Sequence, residues 1–238
     1  MPYLPHPVLH GPAVLKRYGS KYRLLLLRHP HADPQGPRKG PGDHEVKLEQ
    51  SISRARSRIF ELALCNPWDY FVTLTLDPAK YDRHDLPAFR RDLSQWIRNQ
   101  RRLHGCDFRY LLIPELHRDG AWHMHGLVSG LRVSALEFNA NGYLDYPPYR
   151  DRFGYLSLGP VRNLEAVSRY VTKYVSKDLA ARKDELGAHL FYASRGLSQA
   201  ETLDRGDFSP PPDFRWSFQN DWFCELWLDS PVELEHRL

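Results

Sequence analysis

The sequence predicts an α+β fold in which one side of a β-sheet is covered by helices. An alternating segment rich in β-forming residues, Tyr70 to Leu76, is followed by a helical pattern from about Leu86 to Leu103. Two further strand-like segments then flank the turn-forming residues Arg118-Asp119-Gly120, and a second helical pattern runs from Asn163 to Ala181. The order strand, helix, two strands, helix is typical of a sheet with helices layered on it.

The N-terminal part contains one apolar strand candidate, Tyr22 to Leu27, and then a stretch rich in proline and glycine from Pro30 to Gly42. Such a stretch is typical of a loop or linker. A helix is expected to begin near Asp43, a good N-cap residue, and to end near Leu64. We therefore divide the chain into an N-terminal extension with a linker (1–42), a main domain (43–200) and an aromatic-rich C-terminal extension (201–238).

Less regular segments complete the expected elements. Residues 139–158 form an irregular insertion that ends in a short strand at Tyr155 to Leu158, and Phe191 to Gly196 is a candidate edge strand. Pro210 to Pro212 interrupts regular structure. Beyond it, Phe214 to Phe218 and Trp222 to Leu228 are aromatic segments that suit either a strand or a helix.

The composition excludes several classes of protein. With 42% hydrophobic and 13% aromatic residues in 238, the chain has enough apolar surface for a core. No apolar run approaches the roughly 20 residues of a membrane helix, and the N-terminus lacks a signal-peptide pattern. Three isolated cysteines argue against a disulfide framework and suit a reducing cytoplasm. The 33 basic and 29 acidic residues are compatible with a nucleic-acid partner.

The segment from Glu115 to Val128 predicts a metal site on a β-hairpin. His123 and His125 flank one apolar residue on a strand, so both imidazoles point to the same face of the sheet. If the hairpin closes around Asp119, Glu115 lies opposite His123 on that face. Two imidazoles and one carboxylate predict a divalent-metal site. The mixed ligand set suits Mn²⁺ or Mg²⁺, whereas Zn²⁺ would bind more tightly in vitro, so the availability of each metal decides between them. His117 has the strand parity of an alternative third ligand, and an ordinary polar sheet face is the alternative interpretation.

A second motif, Tyr170-Val-Thr-Lys173-Tyr174-Val-Ser-Lys177, lies in the predicted helix 163–181. Tyrosines at positions i and i+4 share one helical face, and the lysines repeat at the same interval. An amphipathic helix with two half-buried tyrosines is the alternative interpretation. Beside the metal hairpin, the motif suggests a tyrosine nucleophile near a metal-bound phosphate.

These motifs resemble those of the HUH endonucleases, a family named for the sequence His, apolar residue, His. The resemblance is closest to the rolling-circle replication initiators of small phages and plasmids, and it covers about residues 45–200. Three motifs occur in the family order: Phe71 to Asp77, Trp122 to Gly126, and Tyr170 to Tyr174. The resemblance implies an antiparallel sheet of RRM-like topology. Thr73, Thr75 and Asp77 of the first motif are interpreted as packing and capping residues rather than catalytic ones.

The resemblance also implies an activity. Tyr170 or Tyr174 would attack single-stranded DNA at an origin hairpin and form a 5′-phosphotyrosine. From the residues themselves we prefer Tyr170 as the first nucleophile, because Tyr174, next to Val175, has the stronger claim to a packing role. Lys173 and Lys177 would stabilise phosphate charge or lower a tyrosine pKa. The expected partners are the host polymerase and, because no Walker phosphate loop is present, a host helicase in a bacterial cytoplasm.

Two questions remain open from the sequence. Arg54, Arg56 and Arg58 in the helix 43–64 suit contacts with DNA phosphates and equally suit a solvated helix face. The alternative functions are a single-strand transposase of the HUH type and a non-catalytic origin-binding module. The paired tyrosines and the complete ligand set favour the initiator, and a metal-dependent RNA-processing enzyme is more remote.

Overall fold

The computed structural model describes residues 11–28, 43–176, 179–180, 189–209, 214–220 and 223–230. The chain divides into two compact units, one formed by Met1–Gly40 with Ser198–Leu238 and the other by Pro41–Leu197. The expected linker at Pro30 to Gly42 and the interruption at Pro210 to Pro212 lie outside the described residues. No helix in the described ranges is long and apolar enough to cross a membrane.

The described elements are these, in chain order: β1 (Gly11–Tyr18), β2 (Lys21–Leu27), α1 (Asp43–Leu64), β3 (Tyr70–Thr75), α2 (Leu86–His104), β4 (Arg109–Leu116), β5 (Trp122–Ser129), β6 (Glu137–Phe138), β7 (Leu144–Asp145), α3 (Pro147–Phe153), β8 (Leu156–Pro160), α4 (Leu164–Val171), β9 (Tyr192–Ala193), β10 (Glu201–Phe208), β11 (Phe218–Gln219) and β12 (Phe223–Leu228).

The larger unit is built on an antiparallel sheet with the strand order β8-β3-β5-β4-β9. This arrangement of helices and antiparallel strands is the predicted α+β fold. The predicted positions of α1, β3, α2, the β4–β5 hairpin and the edge strand β9 are confirmed. Helix α2 begins where the Asp85 side chain accepts a hydrogen bond from the amide of Ala88, and it ends at Gly105 in a left-handed conformation.

Helices lie on both faces of this sheet, so the expectation of one covered side is wrong. Leu93 and Ile97 of α2 line a small apolar space together with Val72 and Leu112, which point to one face. Phe71, the strand neighbour of Val72, points to the opposite face and contacts the ring of Tyr170 in α4. The reason is that β3, β4 and β5 carry apolar residues on both faces, which must each be covered.

The second predicted helix is also shorter than expected. Helix α4 ends at Val171, and a single 3₁₀ turn, Thr172–Tyr174, follows it. The Thr172 hydroxyl donates to the carbonyl of Arg169 at 2.7 Å, and β-branched residues are poor helix formers. The described residues therefore place Tyr170 on a helix and Tyr174 on the tighter turn after it.

The insertion between β5 and β8 contains a helix that the sequence pattern did not reveal. Helix α3 begins with two prolines in its first turn, and it buries Tyr149 and Phe153 almost completely. Aromatic rings of α2 and α3 pack together, with Trp96 and Tyr149 at a centroid distance of 5.9 Å. The strand predicted at the end of the insertion is present as β8.

The smaller unit brings N-terminal and C-terminal strands of the chain into one sheet. Strand β1 pairs antiparallel with β10, and the order is β10-β1-β2-β12-β11. Its own apolar cluster is formed by six buried residues: Ala13, Leu24, Leu26, Cys224, Leu226 and Leu228. Pairing between segments almost 200 residues apart leaves no local signature, so the sequence suggested two separate extensions.

Candidate active site

The β4–β5 hairpin presents its polar side chains in the predicted register. Glu115 pairs with His123 and Ile113 pairs with His125, so Glu115, His123 and His125 share one face. Gly120 closes the turn with a φ of 82°, a conformation that favours glycine. Gly126 follows the second histidine because a Cβ there would lie 1.9 Å from the carbonyl oxygen of Leu111. The hairpin thus depends on two glycines to bring its strands and turn into place.

A cluster of groups that could hold a metal ion forms on this face. Ligand atoms of Glu115, His117 and His125 all lie within 4.8 Å of one another. Glu115 Oε2 is 2.7 Å from His125 Nε2 and 3.8 Å from His117 Nε2. These oxygen and nitrogen donors converge as they would around one divalent ion.

His125 Nε2 gives a second indication that the residues fit a metal ion. This atom is buried and makes no hydrogen bond of acceptable geometry to the described residues, although Glu115 Oε2 is close. A buried polar atom left without a hydrogen bond is costly. Coordination of an ion between the nitrogen and the carboxylate would satisfy both.

His123, the first histidine of the motif, lies beside this cluster and is not one of its three residues. Its ring stacks on that of His117 at a centroid distance of 3.8 Å. The ligand trio suggested by the sequence was Glu115, His123 and His125, whereas the structure brings His117 together with Glu115 and His125. His117 had the correct strand parity, and its position just beyond β4 places it at the turn that closes the hairpin.

The surroundings of His123 and His125 favour the neutral form of both imidazoles by lowering their pKa values. Burial lowers the pKa of His123, and the nearby His117 lowers it further. Burial also lowers the pKa of His125, although the Glu115 carboxylate acts in the opposite direction. A neutral imidazole keeps a lone pair for coordination at neutral pH.

The two tyrosines lie directly against the histidine face. The ring of Tyr174 stacks on His125 with a centroid distance of 4.1 Å and an interplanar angle of 8°. The Tyr174 hydroxyl donates to the Tyr170 hydroxyl at 3.3 Å. Phe71 supports both rings, at centroid distances of 5.4 Å from Tyr170 and 6.1 Å from Tyr174. Paired hydroxyls therefore stand beside the metal-ligating cluster.

The environments of the two tyrosines differ. Tyr170 is 45% exposed, and its pKa is lowered by hydrogen bonding to Lys173 and to Tyr174. The Lys173 ammonium lies 3.5 Å from the centroid of the Tyr170 ring. Burial and the contact with Tyr170 raise the pKa of Tyr174. Tyr170 is consequently the more easily ionised hydroxyl, and Lys177 lies outside the described residues.

The three arginines of α1 have different surroundings. Arg56 donates from Nε and Nη2 to the carbonyl of Val175 at 3.1 and 2.8 Å, so it ties α1 to the end of the tyrosine turn. Arg58 pairs with Glu61 at 3.0 Å, and Arg54 is exposed. The link made by Arg56 spans 119 residues of sequence and was not foreseen.

Sequence reasoning also gave the first motif a smaller role than its contacts suggest. Asp77 does cap a turn, since its side chain accepts a hydrogen bond from the amide of Ala79 at 3.0 Å. Thr73 and Thr75 instead contact the motif histidines through their hydroxyls. Only the pairing of β3 with β5 brings these residues together, so the sequence alone did not reveal the contact.

Comparison with known proteins gives one match. Residues 69–179 match the sequence model of a family described as "Replication-associated protein ORF2/G2P". The matched region extends from the start of β3 through the tyrosine turn and includes every residue of the cluster. The match supports a replication initiator of the rolling-circle type, and with it a DNA-binding protein and a nuclease-type enzyme. No curated protein and no solved structure matches the chain.

Proposed function

We propose that this protein nicks and rejoins single-stranded DNA at a replication origin through a 5′-phosphotyrosine, and thereby initiates rolling-circle replication of a phage or plasmid. The observation that carries the proposal is the stacking of Tyr174 on His125, which sets two linked tyrosine hydroxyls beside the cluster of metal-ligating groups. The family match over the same residues supports it.

Glu115 and His125 would hold the metal ion in either ligand set, with His123 or His117 completing the protein ligands. The nitrogen and oxygen donors suit Mn²⁺ or Mg²⁺. When bound, the ion would offset the charge of the scissile phosphate and orient it for in-line attack. The protein's own part is to keep the imidazoles neutral and to hold the carboxylate next to them.

Tyr170 would act first, because its exposed hydroxyl has the lowered pKa. Its oxygen forms a bond to phosphorus while the bond from phosphorus to the 3′ oxygen breaks, which leaves a 5′-phosphotyrosine and a free 3′-hydroxyl. Lys173, beside the Tyr170 ring, favours the ionised tyrosine and would stabilise the negative charge of the phosphate. We propose a similar charge-stabilising part for Lys177. The covalent bond conserves the phosphodiester energy, so resealing needs no ATP.

Tyr174 would serve the second cleavage. One tyrosine holds the parent strand while the other cuts the regenerated origin, and the 3.3 Å between their hydroxyls lets both use one site. A transposase with a single tyrosine needs no such pair, so this contact favours an initiator over that alternative. A non-catalytic origin-binding module would need neither tyrosine.

The proposed partners are those of an initiator in a bacterial cytoplasm. The substrate would be single-stranded or hairpin DNA, and the released 3′ end would prime the host polymerase behind a host helicase. Exposed Arg54 would contact backbone phosphates. Arg58 and Arg56 would contribute positive charge next to it, with Arg56 also held by Val175.

The direct test is covalent adduct formation. Incubating the full chain with pools of labelled single-stranded DNA and Mn²⁺ is expected to give a denaturant-resistant protein–DNA band, which EDTA prevents. Duplex DNA of the same sequences provides the control and is expected to give little adduct. Failure to form an adduct with any single-stranded or hairpin pool, under conditions in which Mn²⁺ binds, would contradict the nicking activity.

A second test identifies the third protein ligand. His117→Ala and His123→Ala are compared for Mn²⁺ affinity by calorimetry, with His104→Ala, an exposed histidine at the end of α2, as the matched control. We expect His117→Ala to weaken binding at least as much as His123→Ala, since His117 lies within the ligand cluster. A large loss of Mn²⁺ affinity in His123→Ala alone would instead support Glu115, His123 and His125 as the protein ligands.

A further inference from the structure

The first motif makes two hydrogen bonds that repeat along the sheet. Strand β3 pairs with β5 so that Thr73 lies opposite His125 and Thr75 opposite His123. Thr73 Oγ1 is 3.0 Å from His125 Nδ1, and Thr75 Oγ1 is 2.9 Å from His123 Nδ1. Each histidine of the metal motif is thus matched by one threonine of the neighbouring strand.

This pairing follows from the strand period. Alternate residues of a strand share a face, and directly opposite residues have Cβ atoms about 4.5–5.5 Å apart. A threonine hydroxyl at that distance reaches Nδ1, the ring nitrogen nearer the backbone. A Thr-x-Thr segment aligned with a His-x-His segment therefore repeats the same contact twice.

We propose that Thr73 and Thr75 are positioning residues that fix the rings of His125 and His123 with Nε2 directed toward the metal. A neutral imidazole carries one N–H, and a nitrogen that binds a metal must offer its lone pair. With Nε2 as the ligand atom, Nδ1 carries the hydrogen and donates it to the threonine oxygen. Such contacts orient a ligating histidine and make its free nitrogen more basic.

The position of His125 Nε2 agrees with this assignment. It is the ring nitrogen that faces Glu115, and it is buried without a hydrogen bond of acceptable geometry to the described residues. A ring flip would move Nδ1 away from Thr73 and replace Nε2 with a carbon atom beside Glu115. The hydroxyl of Thr73 therefore favours the ring orientation that can bind a metal.

The inference rests on the proposed metal-dependent function, and it is tested with Thr73→Val and Thr73→Ser. Valine keeps the branched shape and the β propensity of threonine but has no hydroxyl, whereas serine keeps the hydroxyl. Loss of a contact that supports a metal ligand typically costs about 10- to 100-fold in affinity. We expect a loss of Mn²⁺ affinity in that range for Thr73→Val, measured by calorimetry, and substantial recovery for Thr73→Ser. Because Thr75 acts through His123, Thr75→Val is expected to lower Mn²⁺ affinity by no more than His123→Ala does.

The orientation itself is read by NMR. In ¹⁵N-labelled protein with diamagnetic Mg²⁺, His125 is expected to carry its hydrogen on Nδ1, and Thr73→Val is expected to lose that single tautomer. Thr202→Val, on β10 of the smaller unit, controls for a general effect of the substitution. Equal Mn²⁺ affinity and an unchanged tautomer in folded Thr73→Val would overturn the inference while the nicking function stands. A wild-type chain that binds neither Mn²⁺ nor Mg²⁺ would overturn both.

Discussion

Replacing His125 with alanine is expected to abolish adduct formation while the chain still folds. His125 contributes the buried Nε2 atom that faces Glu115, and its ring also supports Tyr174. Loss of one group that stabilises developing charge commonly costs about 10²- to 10³-fold in rate. We expect a loss at least this large in the rate of adduct formation with single-stranded DNA and Mn²⁺, because a ligand and a ring contact are removed together.

Glu115→Gln separates these two contributions of His125. Glutamine keeps the size of the glutamate side chain and leaves the stacked rings in place, but it removes the negative charge that a divalent ion needs. We expect Glu115→Gln to lose Mn²⁺ affinity and adduct formation together, with an unchanged thermal unfolding midpoint. His104→Ala should match the wild type in all three measurements. Full adduct formation by either His125→Ala or Glu115→Gln would remove the metal cluster from the mechanism.

The sequence predicted the hairpin well because its determinants are local. Arg118-Asp119-Gly120 defines the turn, and the turn fixes which residue of β4 faces His123. The parity of Glu115, His123 and His125 then follows without knowledge of the rest of the fold. The same reasoning placed His117 on the correct face, but the choice between His117 and His123 depends on side-chain positions at the end of the hairpin.

Contacts between distant segments escaped prediction for a physical reason. The link from Arg56 to the carbonyl of Val175 and the pairing of Thr73 with His125 require α1, β3 and β5 to be in place first. Arg56 fits an ordinary helix pattern and Thr73 an ordinary strand pattern, so neither residue signals its distant contact in the sequence. The pairing of β1 with β10 escaped prediction for a similar reason. A strand pattern in the sequence predicts a strand but does not identify the strand that pairs with it.

The tyrosine segment shows how packing overrides helical periodicity. A continuous helix would have placed Tyr170 and Tyr174 one turn apart by its geometry alone. The chain instead leaves the helix after Val171, and the hydroxyls meet because Tyr174 stacks on His125 while Tyr170 packs edge-on against Phe71. The pairing of the tyrosines was therefore expected for an incomplete reason. The sequence had assigned the stronger packing role to Tyr174, and Tyr174 is the less exposed of the two in the structure.

That inequality predicts different outcomes for the two phenylalanine variants. Tyr170→Phe is expected to lower first-adduct formation by orders of magnitude, as removal of an enzyme nucleophile generally does. Phenylalanine preserves the packing against Phe71, so the loss reports on the hydroxyl. Tyr174→Phe is expected to form the first adduct more slowly, because Tyr170 loses the hydrogen bond that helps to lower its pKa. The Tyr174→Phe variant should then fail in strand transfer, because it has no second nucleophile.

Peptide mapping of the adduct measures these expectations directly, with Tyr143→Phe, an exposed tyrosine in the insertion, as the control. The wild-type protein should carry the nucleotide on Tyr170 after a single turnover, and the double variant should bind single-stranded DNA without forming an adduct. Tyr174 is the more buried hydroxyl, and deprotonating it costs more because burial raises its pKa. A first adduct on Tyr174 would therefore mean that bound DNA and metal reverse the order set by the free protein. If the nucleotide is attached to neither Tyr170 nor Tyr174, the proposed phosphotyrosine mechanism is excluded. That conclusion would hold even if the cluster of Glu115, His117 and His125 binds a metal ion.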